Sequence, residues 1–87
     1  MQDKIRIYLA WKATYATRAS VNYKIWLVRF LQICGDKKIE EYDITDVIKY
    51  RNSLEGKYSS SCLHYAMIVI KNFFKFYREQ NYPCLSP

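Results

Sequence analysis

Apolar side chains recur along this chain every three to four residues, the period of a helix with one buried side. The pattern is clearest over residues 60–80, where Leu63, Met67, Ile70, Phe74 and Tyr77 fall at i, i+4, i+7, i+11 and i+14, with Ala66 and Phe73 beside them. A second stripe, Tyr23, Leu27, Phe30 and Cys34, widened by Trp26 and Ile33, predicts a helix over residues 18–34. Val47, Tyr50 and Leu54 predict a shorter helix over 45–54. Ile5, Leu9, Tyr8 and Lys12 predict a first one over 3–14. No stretch keeps the two-residue alternation of a half-buried strand. The spacing therefore predicts an all-α protein, a compact bundle of four or five helices forming one domain over residues 1–87.

The punctuation between the stripes agrees. Gly35 and Gly56, the two glycines of the chain, each follow an apolar-periodic stretch and read as helix stops. Pro83 and Pro87 stand at the far end, where they interrupt no helix. Thr17 is the expected N-cap of the second helix and Ser59 of the fourth, since a hydroxyl there can accept from a free backbone N–H of the first turn. Tyr58 can pack on Leu63 as a hydrophobic staple. For the third helix Thr45 is the expected cap, with Asp43 as the alternative. The segment from Asp36 to Asp43 is charged and polar, and is expected to be an exposed linker.

Composition sharpens this picture in two ways. Half of the residues are apolar (51%) and 17% are aromatic, which excludes intrinsic disorder because there is ample area to bury. The net charge is +6, and it is unevenly placed. Arg18, Lys24 and Arg29 have no acid near them in residues 18–34, and Lys57, Lys71, Lys75 and Arg78 face only Glu79 in residues 57–87. Residues 35–56 instead carry four bases and six acids. A basic balance concentrated on particular helices implies an anionic partner, nucleic acid ahead of the alternative of a merely solvated surface. Cys34, Cys62 and Cys84 are odd in number and lack metal-ligand spacing, and His64 is the single histidine, so neither a disulfide framework nor a metal site is expected. No cofactor is expected either. Unpaired thiols suit the reducing cytoplasm. No apolar run approaches the ~20 residues of a membrane span.

Two helix starts combine hydroxyls with a base: Thr17, Arg18, Ser20 and Asn22 in one, and Lys57, Ser59, Ser60, Ser61 and His64 in the other. Helix N-termini present free N–H groups and a partial positive charge that suit phosphate. Arginine can read guanine, and asparagine adenine, by paired hydrogen bonds in the major groove. Taken singly, the serines read more simply as caps and His64 as an exposed neutral residue. Lys71, Lys75 and Arg78 share a stripe with His64 at helical spacing. By itself that stripe reads as a solvated face, but next to two basic helix starts it reads as phosphate-gripping. Trp11 and Tyr15, at i and i+4 on the first helix, are the aromatics left over for a partner surface.

The order of these features resembles the N-terminal core-binding domain of the tyrosine recombinase, or phage integrase, family. Ala19, Tyr23, Leu27 and Phe30 follow its T-x-x-x-Y-x-x-x-L-x-x-F motif, Ile44-Thr45 its I-T helix start, and Ser61-Cys62-Leu63-His64 through Met67, Ile70-Lys71 and Phe73-Phe74 its late motif. Ala19 and Cys62 stand where threonines are usual, His64 where asparagine is, and Lys71 where arginine is. The resemblance runs from about Ala16 to Pro87. It implies a SAM-like helical bundle that grips one side of double-stranded DNA with the starts of its second and fourth helices. It also implies a catalytic domain beyond Pro87 in the same protein, and other recombinase protomers on the DNA as possible partners. No Arg-x-x-Tyr or His-x-x-Arg constellation lies in the chain, so none of the nine tyrosines is expected to be a nucleophile, and this stretch should bind without cutting. The competing reading is a helical protein-docking domain with a basic face. An enzyme in its own right comes third, since Glu40-Glu41 and Asp43-Asp46 read as solvated charges rather than a catalytic pair.

Overall fold

The structure, a computed structural model, describes residues 1–82. Four helices follow one another: α1 (Gln2–Ala13), α2 (Thr17–Cys34), α3 (Ile44–Leu54) and α4 (Ser60–Glu79), with a short 3-10 turn at Ile39–Glu41. The described chain is all-α, a four-helix bundle as the residue pattern predicts. None of its described helices is long and apolar enough to cross a membrane. Pro83, Cys84 and Pro87 lie outside the described residues.

Helix α2 is the centre of the bundle and packs against α1, α3 and α4. Its predicted stripe is what it buries: Leu27 and Phe30 are fully buried and Tyr23 nearly so. The α4 stripe behaves likewise, with Leu63, Ala66, Ile70, Phe73, Phe74 and Tyr77 buried. Rings meet edge to face across the helices. Phe30 lies 5.2 Å from Tyr50 of α3 and 6.0 Å from Phe74 of α4, and Tyr8 of α1 lies 5.4 Å from Phe73. Such offset pairs contribute about 0.5–1.5 kcal/mol each beyond the area they bury.

Burying a tyrosine ring leaves its hydroxyl to be satisfied. Tyr50 donates to the Trp26 carbonyl at 2.7 Å, Tyr77 to the Lys4 carbonyl at 2.6 Å, and Tyr42 to the Gly35 carbonyl at 2.5 Å. Tyr23 accepts from the Asn72 amide at 3.1 Å. Among the described residues no buried side-chain polar atom lacks a partner. Burial pushes the phenol of Tyr77 up to about 12, and those of Tyr8 and Tyr50 higher still.

Three local expectations are corrected. Thr17 is the first residue inside α2 and does not cap it. The N-cap is Ala16, which has no side chain able to accept, and the Thr17 hydroxyl donates back to the Ala13 carbonyl at 3.1 Å. Asp43, not Thr45, caps α3: it accepts from the amides of Thr45 and Asp46, while Asp46 accepts in return from the Asp43 amide at 3.0 Å. Thr45 already lies inside the first turn, where its own amide is one of the donors that the Asp43 carboxylate receives. The 36–43 segment is not a free linker, because Ile39 and Tyr42 are buried and close one end of the core. Ser59 caps α4 as expected, accepting from the Cys62 amide at 3.3 Å. Gly35 and Gly56 adopt φ of 86° and 85°, a left-handed conformation open to glycine at little cost.

Replacing Tyr50 with Phe keeps the ring and removes the bond to Trp26. It should lower unfolding free energy by about 1 kcal/mol, whereas Leu27→Ala, which opens a hole at the centre, should cost about 2–5 kcal/mol. Urea unfolding followed by circular dichroism measures both, and equal losses would contradict the packing described.

Candidate nucleic-acid interface

A helix start attracts anions in proportion to how little of its own negative charge it holds. By that measure the four helices divide in two. The first turn of α1 contains Asp3, and that of α3 contains Asp46 with Asp43 capping it. The first turns of α2 and α4 contain no acid. Their leading amides, those of Thr17 and Arg18 in α2 and of Ser60 and Ser61 in α4, have no acceptor within the helix. The starts of α2 and α4 are thus the two that remain open to an outside anion.

The side chains around them are mostly displayed. Arg18 and Asn22 are exposed on α2; Lys57, Ser59, Ser60, Ser61 and His64 are exposed at the start of α4; Lys71 and Lys75 are exposed further along it. Ser59 uses its oxygen to cap, which leaves its proton for an outside acceptor. Thr17 is exposed, but its proton is committed to Ala13. Ser20 must be withdrawn from the surface set. It is only 8% exposed, and its hydroxyl donates to the Leu9 carbonyl at 2.9 Å, fastening α2 to α1. Its place at i−3 and i−7 from Tyr23 and Leu27 puts it on the core stripe.

Two arginines join the start of α4 from other helices. Arg29 lies with its guanidinium 5.0 Å from the Trp26 ring and 5.1 Å from the Tyr58 ring, one residue before the cap. Arg51 of α3 shares a cavity of about 190 Å³ with Ser60, Leu63, His64 and Met67, and pairs with Glu55 at 3.4 Å. Arg29 was visible on the same side of α2 as Arg18 and Asn22, at i+11 and i+7 from them. Arg51 gave no signal, since only the crossing of α3 and α4 brings it to the site. Ile25 stands exposed on that side of α2 as well.

The remaining chemistry is quiet. Cys34 donates to the Asp46 carbonyl at 3.2 Å, and burial pushes its thiol up to about 11, far from a reactive thiolate. Among the described residues no three His, Cys, Asp or Glu side chains come together as metal ligands.

Residues 1–83 match the family model described as the phage integrase, N-terminal SAM-like domain. The chain belongs to this family. No curated protein and no solved structure matches it. A phage-integrase N-terminal domain points to a role in site-specific recombination, and the match covers this N-terminal unit and not a catalytic one. The match spans all four helices.

The α3 start answers differently to acid. The Asp43 carboxyl is held below its ordinary value, first by the Thr45 hydroxyl and then by the Asp46 amide. The unfolded chain therefore takes up this proton first. The contribution of the cap is complete above the ordinary carboxylate range and is lost as pH falls through the lower folded value. Asp43→Asn should flatten the loss of stability as pH falls through and below the ordinary carboxylate range, measured as urea midpoints; an unchanged slope would mean the carboxylate carries no such linkage.

Proposed function

We propose that this phage-integrase N-terminal domain binds double-stranded DNA during site-specific recombination, holding phosphates with the starts of α2 and α4 and with the basic side of α4. The observation that carries this reading is that these two helix starts alone hold no acid in their first turns, in a chain whose charge is +6. Arg18, Lys57, Lys71 and Lys75 supply the cations, and the hydroxyls of Ser59, Ser60 and Ser61 add hydrogen bonds to phosphate. Asn22 and His64, one turn inside each helix, are positioned to meet base edges if the helix starts enter the major groove, and Ile25 could meet a thymine methyl. Gripping of this kind needs no metal or cofactor. Strand cleavage then belongs to a catalytic domain following Pro87 in the same polypeptide, which is one partner, with further recombinase protomers on the same DNA as others. Such a protein works in the cytoplasm.

Four cations on four phosphates give a plot of log affinity against log salt a slope of roughly −3 to −4, or about a hundredfold weakening between 50 and 200 mM salt. Fluorescence anisotropy with a random duplex should show this slope. Arg18→Glu with Lys71→Glu should abolish binding and leave thermal unfolding nearly unchanged, because both side chains are exposed. Absence of binding even at low salt would overturn the reading in favour of a protein-docking domain.

A further inference from the structure

Where the end of α1 meets the last turns of α4, the surface opens into a cavity of about 330 Å³ whose walls include Trp11, Lys12, Tyr15, Asn72, Lys75 and Phe76. Its floor is aromatic and exposed: Trp11 is 43% and Tyr15 63% accessible. The two rings stand edge to face at 5.2 Å, and Trp11 is backed by Phe76 at 4.5 Å and Tyr8 at 5.8 Å. Two of the largest side chains in the protein are thus held in place with part of their surface uncovered, in a chain that buries most of its other rings.

The rim is polar. The Lys12 ammonium is fixed over the Tyr23 ring at 4.4 Å and reaches the Tyr15 ring at 5.7 Å. Lys75 is exposed on the opposite wall. The Asn72 amide spends one N–H on the Tyr23 hydroxyl and keeps its carbonyl. Glu79 lies at the rim near the end of α4. A flat aromatic surface, an ammonium on either side, an amide carbonyl and a carboxylate form the set that takes a nucleotide: the base stacks, its exocyclic amine donates to the oxygens, and its phosphate meets an ammonium. Paired bases inside a duplex cannot use such a floor, because both of their π-faces are already stacked on neighbours.

We propose that this pocket receives an unpaired nucleotide at the edge of the duplex held by α2 and α4. The inference rests on the duplex-binding reading, and the fold ties the two surfaces together at two points. Lys75 belongs both to the basic side of α4 and to the pocket wall, and Tyr15 precedes the start of α2 by two residues. A strand that separates from the duplex beside those elements reaches the pocket directly.

The test compares a short blunt duplex with the same duplex carrying a short unpaired tail. Tyr15→Ala serves as the variant, because Tyr15 is largely exposed and follows the end of α1, so the fold should survive its loss. In a Trp26→Phe background Trp11 is the sole tryptophan and reports directly. The tailed probe should bind about five- to tenfold more tightly than the blunt one, near the lower end of what stacking one base on an aromatic ring supplies. The tail alone should quench Trp11 emission, and Tyr15→Ala should bring the tailed probe down to the affinity of the blunt duplex while leaving the latter unchanged. Equal affinities for the two probes, or an advantage of the tail that survives Tyr15→Ala, would overturn the pocket while leaving duplex binding standing. Failure of both probes to bind would overturn the duplex reading and this inference with it.

Discussion

The fold depends on burying tyrosine. A bundle of four short helices has a small core, and here that core is built largely from rings, several of which carry a hydroxyl into the interior. A buried hydroxyl without a partner would cost on the order of 1–3 kcal/mol. In this domain each such cost becomes a tie between elements: Tyr77 of α4 to the backbone of α1, Tyr50 of α3 to the backbone of α2, and Tyr42 to the end of α2. Ser20 adds a tie from α2 back to α1. Neighbouring helices are therefore held at fixed register by directional bonds inside an otherwise non-directional aromatic core. Rigid placement of helix starts, on which the proposed function rests, follows from this.

The charge distribution completes the division of labour. The acid-rich middle of the chain is consumed locally. Asp43 and Asp46 hold the start of α3, the two carboxylate oxygens of Asp46 also meet the Lys37 ammonium at 3.0 Å, and Glu41 accepts from the Lys38 amide. Negative charge is thereby kept on α3 and the turn before it, while α2 and α4 turn cations and bare amides outward. The same chain thus carries two helix starts that hold acids of their own and two that hold none, and the self-capped α3 is the internal comparison for α2 and α4.

Helices were legible in the sequence because burial imposes a period, and the stripes on α2 and α4 name the core almost residue by residue. Caps were less legible. Threonine, serine and aspartate compete for the same role, and the choice depends on where the preceding chain is pinned, which for α3 is set by the burial of Ile39 and Tyr42. Those two were hidden among charged neighbours in a segment whose composition suggests solvent. At the candidate interface, exposed cations at helical spacing could be read directly. Ser20 was misassigned because a hydroxyl near a helix start resembles a phosphate contact, although its register places it on the buried side. Arg51 could not be found, since no spacing rule connects α3 to the start of α4.

The central claim is that the open starts of α2 and α4 face DNA, and the amides themselves can report on it. Titrating a random duplex into the isotopically labelled domain at low salt and following backbone amide shifts by NMR measures it position by position. The account predicts the largest shifts at Thr17, Arg18, Ser60 and Ser61, with Thr45 and Asp46 at the self-capped start of α3 nearly still. Shifts centred on α3, or spread evenly over all four helix starts, would contradict it.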